Sequence, residues 1–425
     1  MYFFRTFERI LIYVLVISIV VFPFSYYEIK LPIISWLIIK SIILIFQRGK
    51  IDLPILVFGF FLIYAFLGLF YIFYGIITGN AHPESFPYVF ALYVVFPIVY
   101  FLILNGIPKK SKIIKYADKY FIHGAIGVSI VLLIAFLNKK YGLPEYLNFL
   151  VETINVDIRT TVDVVKINYN GISSILFLFP YFFTSLILIN PKRTKKEKTW
   201  LIIGVLVTFF GVFLTGRRSV IILYFFSILM TFLFKLIIER KKIKFKKKIL
   251  KYALIIFISL LPFTYYLNIG SIINSATSTI SYALKLESKE KGKSFLENER
   301  VKQTTEFSKH IVMRPVLGYG HGAYMKTIIR SEEKPWRYEI SYLDLIFHTG
   351  FLGFILYSIG PVWLLLSLIK IMAYNNVYRA RALGLINALI CVFIAYATNP
   401  YLNAFDIQWI LFYPVLFIII INRQG

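Results

Sequence analysis

The chain has one cysteine, Cys391, inside an apolar run, so it has no disulfide framework. Acid is scarce: 21 Asp and Glu stand against 47 Lys and Arg. The five histidines and these carboxylates show no metal-ligand spacing. A P-loop, a nucleophile elbow and a Cys–His pair are missing too, which removes the commonest nucleotide-binding and hydrolase readings. No internal repeat or low-complexity tract stands out, so an inverted-repeat transporter has no support. The opening run "MYFFRTFERILIYVLVISIVVF" lacks a small-residue cleavage site and reads as a retained first span.

What the chain has in excess is apolar side chains: 59% of its residues are hydrophobic and 18% are aromatic. Runs such as "ILVFGFFLIYAFLGLFYIFYGII" (55–77) exceed the roughly 20 residues that cross a bilayer. A membrane β-barrel would show shorter segments of alternating polarity. The expected fold class is therefore all-α, a polytopic integral membrane protein. Twelve spans are predicted, near 10–27, 31–47, 53–76, 87–107, 118–138, 169–190, 200–215, 219–238, 250–268, 341–373, 383–398 and 405–422. The net charge of +26 does not indicate nucleic acid, because the cations gather in short clusters between spans. Anionic lipid and the positive-inside rule account for them.

Those clusters also set the topology. "PKKSKIIK" (108–115), "PKRTKKEK" (191–198) and "ERKKIKFKKK" (239–248) mark cytoplasmic loops. "RTFER" (5–9), "QRGK" (47–50) and "YRAR" (378–381) fall on the same side when every span is counted, which puts both termini in the cytoplasm. The chain then divides into helices 1–5 (1–138), a first outer loop (139–168) and helices 6–9 (169–268). A large outer loop (269–340) and helices 10–12 (341–425) follow. Outer loops of this length usually carry function or are disordered.

The segment 200–238 has basic clusters at both ends, so it crosses twice and "TGRRS" (215–219) is its outer tip. Gly216 suits the turn because glycine takes positive φ without steric cost. Arg217 and Arg218 at that tip read in two ways. They snorkel to lipid phosphates, or they form an anion site using the guanidinium fork.

In the large loop, Ser294 and Glu297 form a capping box and Pro315 ends the segment, which predicts a peripheral helix of about eighteen residues. "RPVLGYGHG" follows, with glycines at alternating positions that allow a close backbone approach. Glu339 and Asp344 then lead into the tenth span, with His348 after them. Carboxylates at the mouth of a span are candidates for proton transfer, because partial burial raises their pKa. For Asp344 and His348 the favoured reading is a pair of buried polar groups that tie elements together. Arg159, flanked by Asp157 and Asp163, reads as an exposed ion pair of small energetic worth.

In order, "R…NYNG" (from Arg159), "LTGRRS", "R…RPVLGYGHG" (from Arg300), "EISYLDLIFHTGFLG" and "TNPYL" (398–402) resemble the O-antigen polymerase and O-antigen ligase (Wzy/WaaL-like) family. The resemblance covers roughly 159–405; the first four spans match only as generic membrane helices. It implies a GT-C-type glycosyltransferase working at the outer face of the bacterial inner membrane, without metal, nucleotide sugar or other cofactor. The implied donor is an oligosaccharide on undecaprenyl pyrophosphate. By the same resemblance Arg217, Arg218 and Arg314 hold the diphosphate, with Arg159 and Arg300 as weaker members. Tyr319, His321, Tyr324 and Tyr342 are expected on the glycan and loop side. The ligases carry a His-Asn pair eleven residues before the glycine of a late GxxG. Here that position is Glu339, before Gly350 and Gly353, which favours polymerase over ligase and makes Glu339 the candidate base or orienting group. A chain-length regulator and a flippase are the implied protein partners. Ligase, flippase or other transporter, and non-enzymatic scaffold are the rival readings.

Overall fold

A computed structural model describes residues 2–49, 51, 53–107, 110–142, 156–161, 164–188, 194–238, 299–329 and 332–422. Its helices are α1 (Tyr2–Val21), α2 (Tyr27–Arg48), α3 (Ile55–Ile77), α4 (Pro83–Gly106) and α5 (Lys110–Tyr141). A short antiparallel hairpin follows, β1 (Asp157–Thr161) and β2 (Val164–Asn168), with Arg159 opposite Lys166. Then come α6 (Ile172–Ile187), α7 (Lys195–Leu214), α8 (Arg218–Ile238), α9 (Glu299–Met313), α10 (Ser341–Tyr374), α11 (Arg379–Tyr396) and α12 (Phe405–Asn422). The protein is an all-α, polytopic membrane protein, and among the described residues nine helices are long and apolar enough to span. The expected ninth span near 250–268 and the Ser294–Glu297 capping box lie outside the described residues.

Burial sorts the helices. In α6 every residue from Ile172 to Ser185 is buried, and α11 and α12 are also mostly enclosed. Their polar groups are satisfied within the bundle. Asn387 of α11 donates to Thr184 Oγ1 at 2.9 Å and to Ser227 O at 2.8 Å, stitching α6 and α8 to it. Buried side-chain amides need such partners, because an unmet polar group in an apolar interior costs on the order of kcal/mol. α2, α8 and α10 instead show long apolar side chains outward, as lipid-facing helices do.

Two local departures from straight helix shape the functional end. Within α4, residues Ala91–Val95 form a π-helical turn, an irregularity that often marks functional positions. Within α10, Gly350 has φ +63°, which breaks the helix one-third of the way along. The first helix ends earlier than expected: α1 stops at Val21, and Phe24 and Tyr26 take positive φ in the turn to α2. Asp406 accounts for the turn, since its Oδ2 accepts from Phe24 N at 2.8 Å and from Lys30 Nζ at 2.7 Å.

Candidate active site

Loops from distant parts of the chain meet at the α7–α8 turn. Thr215, Gly216 and Arg217 form the turn between α7 and α8, and Gly216 has φ +60°. Buried Thr215 shapes the turn: its Oγ1 donates to Val212 O at 2.7 Å and accepts from Arg217 N at 3.1 Å. Thr215 O accepts from Ile167 N at 3.0 Å, which docks the β2 end onto the turn. Arg217, half-buried, donates from Nη1 to Tyr401 Oη at 3.2 Å and from Nη2 to Asn168 Oδ1. One guanidinium thus ties the β hairpin, the α7–α8 turn and the α11–α12 loop together. Both acceptors are neutral, and among the described residues no carboxylate pairs with Arg217, so its charge is not cancelled.

The glycine run makes a second junction. Gly318, Gly320 and Gly322 all have positive φ, which only glycine takes freely. A Cβ on Gly320 would sit 2.2 Å from Gly75 Cα of α3, and one on Gly322 2.1 Å from Ser85 Oγ of α4. The close approach expected from the sequence is therefore to the protein's own helices. Tyr319 N and Gly320 N donate to Phe347 O and His348 O, at 3.0 and 2.7 Å, where the break at Gly350 leaves those carbonyls unclaimed.

α9 packs on this loop by burying Phe307 and Ile311 against Tyr338, Phe347 and Met325. The peripheral helix expected from the sequence turns its apolar face to the rest of the protein. The end of α9 and the residues after it are exposed instead. Val312, Met313 and Val316 are exposed, and Pro315 and Val316 hydrogen-bond Phe351 and Leu352, which are themselves exposed on α10. Arg314 stands in that exposed stretch, its guanidinium 4.7 Å above the Tyr319 ring.

Between the two junctions lies a polar cavity lined by Tyr88, Tyr93, His321, Arg337, Asp344 and Asn403, among others. Arg337 lies over the Tyr88 ring at 4.9 Å. The π-helical turn brings Tyr93 flat against His321, ring centroids 3.7 Å apart. His321 is 1% exposed, and its Nε2 lies 3.0 Å from Tyr357 Oη. Burial, with His348 nearby, holds His321 well below the ordinary imidazole pKa, so it is neutral.

The other sequence candidates fall around these junctions. Tyr324 is half-buried, edge-on to His82, and Tyr342 Oη donates to Phe393 O at 2.8 Å, joining α10 to α11. Glu339 precedes α10, and its backbone N donates to Gln303 Oε1 of α9 at 3.3 Å. Arg218 opens α8, Arg159 lies on β1 and Arg300 is in the first turn of α9; their side chains lie outside the described set. Sequence reading did not single out Arg337, Tyr88 and Asn403. The signals were present: "KPWRYE" sets an arginine among aromatics, and Asn403 lies one residue past "TNPYL".

Residues 203–358 match the family model described as O-antigen ligase. Over that stretch the chain is similar to the O-antigen ligases. The matched part, over a third of the chain, includes Arg217, α9, the glycine run and α10 through Ser358. Proteins of this family are glycosyltransferase-like enzymes, and this chain is a multi-pass membrane protein. No curated protein matches the chain.

Proposed function

We propose that the protein is a polysaccharide polymerase. It moves an oligosaccharide from an undecaprenyl-pyrophosphate carrier onto a second lipid-linked repeat unit, at the outer face of the inner membrane, with both termini in the cytoplasm. The observation that carries the reading is Arg217, a cation with uncancelled charge, fixed by neutral acceptors from two other loops. A diphosphate gains negative charge as the glycosidic bond to it breaks. A pre-positioned guanidinium stabilises that charge without reorganising. Arg218, the first residue of α8, adds a second cation where the helix dipole is positive.

Arg314, at the exposed lipid-facing edge, suits the carrier's diphosphate as it arrives from the headgroup plane. Arg159 and Arg300 belong to the same anion site by family resemblance, and Glu339 orients or activates the acceptor. The donor is already activated as a diphosphate ester, so the step asks for no metal or other cofactor. A flippase that delivers the donor and a regulator of chain length are the partners this chemistry implies.

The ligase is the second reading, favoured by the description of the matching family. Full-length protein in liposomes with lipid-linked repeat units separates the two. A ladder of products supports the polymerase, and a single transfer to lipid A-core supports the ligase. Absence of both overturns glycosyl transfer.

A further inference from the structure

The polar cavity beside Asp344 is lined with hydrogen-bonding groups yet is small, about 20 Å³, which admits one water-sized group and excludes a sugar ring. Two buried polar atoms of its lining residues, Asp344 Oδ1 beside His348 and Trp336 Nε1, have no hydrogen-bond partner among the described residues. Native interiors rarely leave such atoms unmet, and a cluster of them asks for a ligand.

His348 sets the position of Asp344. Both ring nitrogens of His348 face carbonyl oxygens, Nδ1 that of Asp344 at 2.8 Å and Nε2 that of Ala323 at 3.0 Å. Two acceptors ask both nitrogens to donate, which makes the ring a cation. Asp344 Oδ1 lies 3.1 Å from the same Nδ1, close enough for an ion pair. The contact with His348 fixes the Asp344 carboxylate at the cavity wall. Arg337, half-exposed above Tyr88, stands where the cavity meets solvent. The loop that walls the cavity with Asn403 also holds Arg217 through Tyr401, two residues earlier.

We propose that this cavity receives the nucleophilic hydroxyl of the acceptor sugar, with Asp344 as the group that takes its proton and Arg337 holding the rest of the sugar at the mouth. The assignment rests on the transferase reading above, and it moves the base from Glu339 to Asp344. As the acceptor oxygen bonds to the anomeric carbon of the donor, its proton passes to an Asp344 carboxylate oxygen. The bond from that carbon to the diphosphate oxygen breaks, and its electron pair leaves with undecaprenyl pyrophosphate. The proton is afterwards released to water.

The test uses full-length protein in liposomes with lipid-linked repeat units as donor and acceptor, with undecaprenyl pyrophosphate alone as a separate binding probe. Asp344→Asn is expected to slow transfer by about 100-fold or more, the usual scale of a lost general base, and to bind the probe within twofold of wild type. Glu339→Gln is expected to lose less than tenfold. Arg337→Gln, at a half-exposed site, is expected to raise the acceptor KM about tenfold at unchanged probe affinity. Folded Asp344→Asn that transfers within tenfold of wild type overturns the assignment, as does the reverse order of the two carboxylate variants. If Asp344→Asn does not fold, an unchanged acceptor KM in Arg337→Gln overturns it. A wild-type protein without transfer overturns the transferase reading and this assignment with it.

Discussion

Arg217 and Tyr401 lie 184 positions apart in sequence and are joined by a hydrogen bond of 3.2 Å. The bond places the α11–α12 loop under control of the α7–α8 turn. Tyr401→Phe removes the hydroxyl and leaves the ring, so the cation stays and its aim is loosened. A hydrogen bond to a charged group contributes about 1.5–3 kcal/mol. Transfer assays should therefore show a loss of roughly ten- to hundredfold, with protein abundance and melting temperature nearly unchanged.

Lys30 and Asp406 form an ion pair of 2.7 Å, with both side chains fully buried. Lys30 also donates to Phe22 O at 2.6 Å, so the pair closes the α1–α2 turn onto the start of α12. Removing one partner leaves a buried charge alone, which costs about 3–5 kcal/mol, whereas replacing both by apolar groups is far milder. Thermal unfolding in detergent should show Lys30→Met and Asp406→Leu each strongly destabilised, and the double variant closer to wild type.

Gly320 has φ +85° and its Cα faces that of Gly75. A methyl there meets backbone, which cannot move aside, and the backbone angle is strained as well. Overpacking alone costs about 1–3 kcal/mol. Gly320→Ala should lower the melting temperature and reduce transfer, while alanine at Gly360, where a Cβ meets nothing, should leave both unchanged.

His321 is held neutral by burial, its folded pKa depressed. The unfolded chain, with an imidazole near the ordinary pKa of about 6.5, binds the extra proton. The stability from this group is present above that value and is lost as pH falls below it, by at most about 1.4 kcal/mol per pH unit. Melting temperature should hold from pH 8 to 7 and drop toward pH 5, and His321→Gln should flatten the drop.

Much of the architecture was legible because a bilayer permits few solutions. Apolar runs near 20 residues and cation clusters between them located the described spans to within several residues, and charge parity alone made residues 200–238 a hairpin. The early end of the first helix was not legible, because it depends on Asp406, nearly four hundred residues away. The same limit applies to the site. Arg217 stood out as a cation in a greasy segment, but Asn168 and Tyr401 became its partners only through folding. The glycine run announced a close approach without naming its object, which is α3 and α4. Asp344 and His348 read as a structural pair, and their geometry does tie α10 to the glycine loop through Ala323. The cavity next to them is a product of tertiary packing and leaves no periodic trace.

The central claim is that Arg217 holds the diphosphate of the lipid carrier. Its most direct test is the equilibrium affinity of full-length protein in nanodiscs for undecaprenyl pyrophosphate, compared between wild type, Arg217→Lys and Arg217→Ala. Truncating a charge-assisted partner costs about 2–5 kcal/mol, so Arg217→Ala should bind at least 30-fold more weakly. Arg217→Lys should fall between, because a point charge replaces the fork. Affinity within threefold of wild type in Arg217→Ala would contradict the account and leave Arg217 as a structural tie between loops.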